Sequence, residues 1–340
     1  MGMGSSKIEA IQSLRAIAAL MVVTRHTGLP SAMGGAGVDL FFVISGFVMV
    51  YSSRALFGDF KSVPIFALRR LIRIAPLYWI IILAALAIKG GSDISVIALS
   101  ASFLPSAHGL VVPPGWTLVL EMFFYLLFAL ALFLPRRQAS MLICFLIVAL
   151  VSTHWHPINN FHRWYSSPIM LEFCAGVIIG NIYLERATPL SNKTALMLIA
   201  AGVAIFCATS AIADFEQSPY YRAAFWGLPA TLVGAGVALG PNRRNRTLEF
   251  LGEASYSIYL GHWLVFEIVP LPSSWPLQAA IGILSGVAVF LLIEHPVTGW
   301  LTRGDRDAAP RRLRWQSWQI CEPAASGNRA LLHQSCQRAK

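Results

Sequence analysis

Long apolar runs separated by short polar segments dominate this chain. Ten of the runs approach the length of a membrane-spanning helix, which takes about 20 mostly apolar residues. They lie approximately at residues 8–27, 38–53, 71–88, 116–134, 141–153, 168–184, 194–213, 223–240, 254–269 and 277–293. A further apolar segment, 95–104, is too short to span and is typical of an interfacial or re-entrant segment. The pattern predicts an all-α, polytopic membrane protein with about ten transmembrane helices.

Composition and charge support the same class of protein. The chain is 56% hydrophobic and 12% charged, whereas soluble domains carry about 25% charged residues. The net charge of +10 does not indicate a nucleic-acid partner, because the basic residues follow the loops. If the N-terminus lies inside, all Lys and Arg residues fall on the inner side with five exceptions. Lys89, Arg163 and Arg222 fall outside, and Arg15 and Arg25 lie within the first run. Since cytoplasmic loops are enriched in Lys and Arg, both termini are predicted to be cytoplasmic.

The membrane domain is predicted to cover residues 1–300. Over residues 301–340 the composition shifts to Arg, Ser, Ala, Pro and Gln, which predicts a basic, disordered cytoplasmic tail. The five cysteines have no metal or disulfide spacing. The histidines His154, His156 and His162 share one outer loop with no further ligand pattern, so no metal site is predicted.

The first apolar run carries two polar side chains, Arg15 and His26. A charged residue inside a span is costly and usually has a function or a specific partner. On a helix the two residues fall within roughly 20° of one face and about 16 Å apart along the axis. The residues between them on that face are Ala18, Ala19 and Val22. These small side chains predict a groove that joins a cation to a titratable base.

Basic groups collect on the inner side of the predicted topology. Arg69, Arg70 and Arg73 precede the third run, and Arg15 lies in the inner half of the first. Guanidinium groups match phosphate oxygens, so this end is predicted to hold a polyanionic ligand from the cytoplasm. Two alternatives stay open: the three arginines are only a topology signal, or Arg15 is the structural partner of a carboxylate such as Glu121.

Acidic residues and His26 collect on the outer side. Asp39 lies near the outer edge of the second run, and Glu121 lies in the outer third of the fourth. His26 is predicted to act as a general base. Glu121 or Asp39 is predicted to fix the tautomer of His26 and to stabilise its protonated form.

Five short motifs occur in order along residues 8–296. They are Ser13-Leu14-Arg15 followed by His26, the segments 37–47 and 69–79, the segment 115–118 leading to Glu121, Phe124 and Tyr125, and the segment 255–260 leading to His262. Together these motifs resemble the acyltransferase 3 family of integral membrane acyltransferases. The segments 115–121 and 171–173 are most similar to the branch that acts on bacterial exopolysaccharides.

This resemblance implies roles for particular residues. The family moves an acyl group, usually acetyl, from cytoplasmic acyl-coenzyme A to a hydroxyl of a sugar or lipid-linked glycan. The residues expected to be catalytic are His26, Arg15 and Glu121, with His26 activating the acceptor. Those expected to bind the coenzyme are Arg69, Arg70 and Arg73. Those expected to contact the substrate are Asp39, Trp116, Tyr125 and His262.

The expected protein is a multi-pass O-acyltransferase of the bacterial inner membrane, transferring groups other than amino-acyl groups. It is expected to bind no permanent cofactor and to use acetyl-coenzyme A (acetyl-CoA) as a co-substrate. Its expected partners are membrane lipid, a glycan or lipid-linked sugar acceptor, and polysaccharide-assembly proteins. The residues leave direct transfer and a covalent acyl-protein intermediate equally open. A transporter or flippase of lipid-linked sugars and a structural partner in an assembly complex are the alternative classes.

Overall fold

A computed structural model of the protein describes residues 6–27, 32–209, 218–241 and 243–302. All regular secondary structure within these residues is helical. The first eight helices are α1 (Ser6–Arg25), α2 (Ala36–Ser52), α3 (Ser62–Lys89), α4 (Ile94–Ala101), α5 (Trp116–Ala131), α6 (Arg136–Ser152), α7 (Asn160–Tyr165) and α8 (Leu171–Glu185). The others are α9 (Asn192–Thr209), α10 (Pro219–Arg222), α11 (Leu228–Leu239), α12 (Arg246–Glu253), α13 (Ser255–Ile268), α14 (Trp275–Val289) and α15 (His295–Leu301). The predicted tail lies outside the described residues from 303 onward.

Each predicted apolar run coincides with a helical segment. Within the described ranges, six segments are long and apolar enough to cross a membrane: Ser62–Lys89, Pro113–Ala131, Pro168–Glu185, Asn192–Thr209, Pro219–Leu239 and Trp275–Leu301. The helices of the other four runs do not meet these requirements of length and apolar composition. α1 carries several charges, α2 and α6 have 17 residues each, and α13 has 14 residues. The all-helical, membrane-spanning class is therefore confirmed, and the count of ten stays a prediction.

The third helix begins well before its predicted start at residue 71. α3 runs from Ser62 to Lys89 and ends at Gly90 in the left-handed conformation. Arg69, Arg70 and Arg73 therefore lie inside a helix and not in the loop before it. The apolar pattern missed this start because the three arginines interrupt the apolar run about two turns into the helix.

α2 packs closely against α8 through glycines. A Cβ on Gly46 would collide with the backbone of Phe173 and Gly176, and a Cβ on Gly176 would collide with the backbone of α2. Gly180 continues the contact against Val50. Small residues let membrane helices approach to backbone distance. Gly176 and Gly180 therefore provide the close contact between α8 and α2.

α1 is enclosed by its neighbours along the face that joins Arg15 to His26. Ala18 and Ala19 are fully buried and Val22 is 3% exposed. The carbonyl of Ala18 lies so close to Gly37 of α2 that a Cβ at Gly37 would not fit. The prediction of a groove along α1 is therefore wrong. The small residues of this face pack directly against the neighbouring helices and leave no channel.

Candidate active site

A cavity of about 90 Å³ lies between α1, α2, α3, α5 and α13. α2 forms one wall from Val38 to Met49, a length of about 16 Å at the helical rise. The polar residues that line the cavity are Arg15, Ser45, Arg70, Arg73, Thr117, Glu121, Tyr125, Ser255, Tyr256 and Tyr259. Three guanidinium groups and one carboxylate therefore share a pocket whose remaining wall is largely apolar.

Arg15 is held by the first residue of α13. Its Nε and Nη2 atoms donate to Oγ of Ser255 at 3.3 and 3.0 Å. Ser255 thereby fixes the direction in which the guanidinium of Arg15 faces the cavity.

Arg73 forms an ion pair with Glu294. The second carboxylate oxygen of Glu294 accepts a hydrogen bond from Ser257 Oγ at 2.5 Å, and Glu294 is 3% exposed. Glu294 ends a π-helical turn, Phe290–Glu294, a distortion that is frequent at functional sites. The pair joins α3 to the last long helix beside the cavity.

Arg70 lies at the other end of the cavity, beside the C-terminus of α2. Its Nη2 atom donates to Ser52 Oγ at 2.8 Å. Its guanidinium lies 5.3 Å from the ring centre of Phe66 and 5.9 Å from that of Tyr125. Aromatic faces attract a guanidinium, so the side chain is oriented without a carboxylate partner among these contacts.

The three arginines of α3 are not equivalent. Arg70 and Arg73 line the cavity together with Arg15, whereas Arg69 is half-buried outside the cavity wall. Successive residues of a helix point about 100° apart, so Arg69 cannot share the face of its neighbour Arg70. The structure therefore brings two of the three predicted coenzyme-binding arginines to the cavity.

Glu121 faces the cavity and is fixed by two hydroxyl groups. Its Oε1 atom accepts from Ser45 Oγ at 2.6 Å and from Tyr125 OH at 2.5 Å. The predicted site residues Glu121 and Tyr125 are thus in direct contact. The expectation that Glu121 orients His26 is wrong, because its hydrogen bonds go to α2 and to its own helix.

His26 contacts a second histidine. Its Nδ1 atom lies 3.3 Å from Nε2 of His262 and 3.0 Å from the carbonyl oxygen of Val22. The Nδ1 atom of His262 lies 2.9 Å from the carbonyl oxygen of Ile258. His262 is fully buried, whereas His26 is exposed.

The backbone carbonyls assign the protons of both rings. A carbonyl only accepts, so the neutral His262 ring carries its proton on Nδ1 and has a lone pair on Nε2. That lone pair and the carbonyl of Val22 both accept from Nδ1–H of His26. The Nε2 atom of His26 is therefore unprotonated and is the ring atom that can accept a proton from a substrate.

Two aromatic rings lie where the cavity wall approaches the histidines. Phe41 and Tyr259 both line the cavity, and their ring centres are 6.1 Å apart. The ring centre of Tyr259 lies 6.4 Å from that of His262. Neither histidine belongs to the described cavity wall, and Tyr259 is the lining residue whose ring lies beside His262.

Asp39 is paired with a cation that sequence analysis assigned to an outer loop. Its Oδ2 atom accepts from Arg222 Nη2 at 2.8 Å, and Asp39 is fully buried. The guanidinium of Arg222 also lies 5.9 Å from the ring centre of Trp116 and 4.8 Å from that of Trp226. The prediction that Asp39 orients His26 is therefore wrong, and Trp116 lies in this outer layer rather than in the arginine cavity.

The two ion-pair partners that sequence analysis missed lie at the edges of apolar runs. Glu294 follows the tenth run directly and Arg222 precedes the eighth directly. Both resemble ordinary flanking charges. One signal was nevertheless available in the sequence. Arg73 has the same predicted depth as Glu294, and Asp39 has the same predicted depth as Arg222. In each pair the two residues carry opposite charges.

A multi-helix membrane protein that combines a cationic cavity with an unprotonated histidine nitrogen is suited to bind a polyanionic donor and to activate a hydroxyl. A family model described as an acyltransferase domain matches residues 8–295. The chain belongs to the acyltransferase 3 family and is an acyltransferase that transfers groups other than amino-acyl groups.

Several curated relatives are similar over most of this chain. The exopolysaccharide production protein ExoZ of Rhizobium meliloti (strain 1021) is 33% identical over 308 residues, which cover 82% of this chain and 94% of the relative. The acyltransferase MdmB of Streptomyces mycarofaciens is 27% identical, covering 70% and 69%. The peptidoglycan O-acetyltransferase OatA of Listeria monocytogenes is 24% identical, covering 85% and 56%. No solved structure matches the chain.

Proposed function

We propose that this protein is an O-acetyltransferase of the bacterial inner membrane. It moves an acetyl group from cytoplasmic acetyl-CoA to a hydroxyl of an exopolysaccharide or its lipid-linked precursor. The observation that carries the proposal is the convergence of Arg15, Arg70 and Arg73 on one cavity whose wall approaches the histidine pair. ExoZ is named for exopolysaccharide production and OatA as a peptidoglycan O-acetyltransferase, which supports a polysaccharide acceptor.

The cavity suits the donor in charge and in length. Guanidinium groups bind phosphates through short, charge-assisted hydrogen bonds, so the arginines hold the phosphates of the coenzyme. The long thin arm that carries the thioester then follows the wall formed by α2, past Val48 and Phe42. Val38 lies at the other end of this wall, so the arm runs toward the end of α2 that packs beside the last turns of α1.

In the proposed reaction, Nε2 of His26 removes the proton from the acceptor hydroxyl. The resulting alkoxide attacks the thioester carbonyl, a C–O bond forms, and the C–S bond of the tetrahedral intermediate breaks. The departing thiolate takes the proton from His26, so the enzyme returns to its initial state. His262 stabilises the transient imidazolium by accepting from Nδ1–H with its own Nε2 lone pair.

Phe41 and Tyr259 control when the donor meets the base. Tyr259 is held by hydrogen bonds of its hydroxyl with Thr117 Oγ1 and the carbonyl of Pro114, both 2.9 Å long. The thioester reaches His26 only when one of these rings swings away. A closed wall in the absence of acceptor protects the thioester from water.

The ten-helix topology with both termini in the cytoplasm belongs to the same proposal. It gives the C-terminal end of α2, with Arg70, to the cytoplasmic side and the exposed His26 to the outer side. Donor and acceptor then approach from opposite faces of the membrane. The distribution of Lys and Arg among the loops supports this orientation.

The test uses inside-out membrane vesicles, which expose the cytoplasmic face to added reagents. Acetyl-CoA labelled in the acetyl group is added outside, and the glycan is isolated and counted. The account predicts label on glycan enclosed in the vesicles, with one free coenzyme released per acetyl group transferred. A transporter of lipid-linked sugars would move glycan without consuming thioester. Absence of both label and thioester consumption would contradict the proposal.

A further inference from the structure

A second hollow, with a volume of about 790 Å³, lies on the other side of the first turn of α5. Six of its lining residues define what we name the aromatic groove: Trp116, His154, Trp155, Arg163, Trp164 and Tyr220. The drug-sized ligands of proteins occupy about 300–1,000 Å³. The groove therefore has room for a chain of several rings.

Trp155 forms a flat, exposed platform in the groove. Its ring stacks on Tyr220 with ring centres 4.7 Å apart and an angle of 8° between the planes. The hydroxyl of Tyr220 donates to the carbonyl of Val151 at 3.2 Å, which fixes the supporting ring. Trp155 nevertheless remains 69% exposed. A large apolar side chain held in one orientation while facing solvent is suited to stack against a ligand.

Polar groups surround this platform. Arg163 is exposed and carries the only formal charge among the described lining residues. The Nδ1 atom of His154 lies 3.0 Å from Ser166 Oγ, which leaves Nε2 for a ligand. Partial burial lowers the pKa of His154, and the neighbouring Arg163 and His162 lower it further, so its ring is neutral at neutral pH. The groove thus offers a charged donor, a neutral imidazole and aromatic faces.

The groove adjoins the active site through two elements. In α5, Trp116 lines the groove and the next residue, Thr117, lines the arginine cavity. On the other side, Arg222 donates to the carbonyl of Gly35 at 3.4 Å. Gly34 packs against the backbone of Arg25, the residue before His26. Because the guanidinium of Arg222 also lies 5.9 Å from the ring centre of Trp116, these contacts link the groove to the end of α1 that leads to the base.

We propose that the aromatic groove binds the glycan acceptor, with a sugar ring stacked on Trp155 and its hydroxyl groups bonded to Arg163 and His154. A pyranose ring has apolar C–H faces and a polar rim, which matches an aromatic platform edged by hydrogen-bonding groups. The inference rests on the proposed function and adds the place where the acceptor chain is held. The bound chain presents its next sugar to His26.

The experiment measures glycan binding directly, without acetyl transfer. The full-length protein in lipid nanodiscs is titrated against oligosaccharides cut from the chemically deacetylated exopolysaccharide of the encoding strain and labelled with a fluorophore. Trp155→Ala is expected to weaken binding about tenfold or more, as truncation of a central aromatic anchor does, while Trp155→Phe keeps most of the affinity. Ile158→Ala is the matched control, because Ile158 is 86% exposed on the same loop but does not line the groove.

Equal affinity of Trp155→Ala and the unaltered protein would overturn the proposal and assign Trp155 to the aromatic belt at the membrane surface. Failure of the unaltered protein to bind these oligosaccharides would also overturn it. Failure of the proposed function has a different signature: the oligosaccharides bind, but labelled acetyl-CoA transfers nothing to them. The two results are therefore separable on one preparation.

Discussion

Nδ1 of His26 lies 3.3 Å from Nε2 of His262, although the two residues are 236 positions apart in the chain. The contact joins the last turn of α1 to the middle of α13. The carbonyl of Ile258 determines which nitrogen of His262 is protonated, and His262 and the carbonyl of Val22 together determine which nitrogen of His26 is free. A buried histidine therefore does the orienting that a carboxylate does in many general-base pairs.

Replacement of His262 by Phe is expected to lower kcat about 10- to 100-fold, the range found when a supporting hydrogen-bond partner is lost. The apolar ring fills the buried site but accepts no hydrogen bond from His26, so the imidazolium that forms on His26 loses the partner that stabilises it, while the carbonyl of Val22 still fixes the tautomer. The KM for acetyl-CoA should not change, because the arginine cavity is untouched. Steady-state kinetics on purified protein separate these two quantities.

His156→Phe is the matched control for that experiment, since His156 is exposed in the loop between α6 and α7 and should leave kcat unchanged. An unchanged kcat in His262→Phe would show that His26 needs no partner ring and would remove His262 from the mechanism.

Arg70→Ala is expected to weaken binding of acetyl-CoA about 10- to 100-fold, the worth of a hydrogen bond to a charged group. The guanidinium lines the cavity and is held by Ser52 and the rings of Phe66 and Tyr125, so its removal takes a phosphate-binding group from the cavity. Isothermal titration of the purified protein with acetyl-CoA measures the effect. Arg69→Ala changes the neighbouring residue outside the cavity wall and should have little effect. Similar losses of acetyl-CoA affinity in both variants would contradict the proposed binding role and indicate that the arginines only determine the orientation of the chain in the membrane.

Arg73→Ala is expected to destabilise the protein by about 3–5 kcal/mol, because it leaves the buried carboxylate of Glu294 without its cation. Adding Glu294→Gln to the same chain removes the uncompensated charge and should recover much of the loss. Thermal unfolding in detergent compares the single and double variants. If the double variant is no more stable than Arg73→Ala, the ion pair is not what joins α3 to the last long helix.

Gly46→Ala is expected to destabilise the fold by about 1–3 kcal/mol or more through overpacking, since the new Cβ meets the backbone of α8. Gly299→Ala adds the same methyl group where nothing lies within 4 Å and should be neutral. The unfolding temperatures of the two variants in one detergent test this. Equal temperatures would mean that α2 and α8 are not in close contact.

The sequence was sufficient to predict the fold class and much of the site. Apolar runs reveal helices reliably in a membrane, because lipid allows few other spanning structures. Arg15, Arg70, Arg73, Glu121 and Tyr125 were all predicted as site residues and meet around one cavity. The start of α3 was misjudged, since a helix can continue through charged residues at the membrane edge.

Partnerships between distant helices were not predictable from the sequence. Periodicity on a single helix identifies the residues that share a face but not the element that packs on that face. Ala18 and Val22 look like the floor of a groove until Gly37 of α2 is placed against them. For the same reason the expected partners of His26 were carboxylates of similar depth, whereas the contact is made by His262.

The central claim is that His26 is the base that activates the acceptor. Its most direct test is the initial rate at which purified protein transfers label from acetyl-CoA to deacetylated exopolysaccharide, compared between the unaltered chain and His26→Ala. The account predicts a loss of about 10²- to 10⁴-fold, the usual contribution of a general base, with unchanged affinity for acetyl-CoA. Transfer by His26→Ala at the rate of the unaltered chain would contradict it.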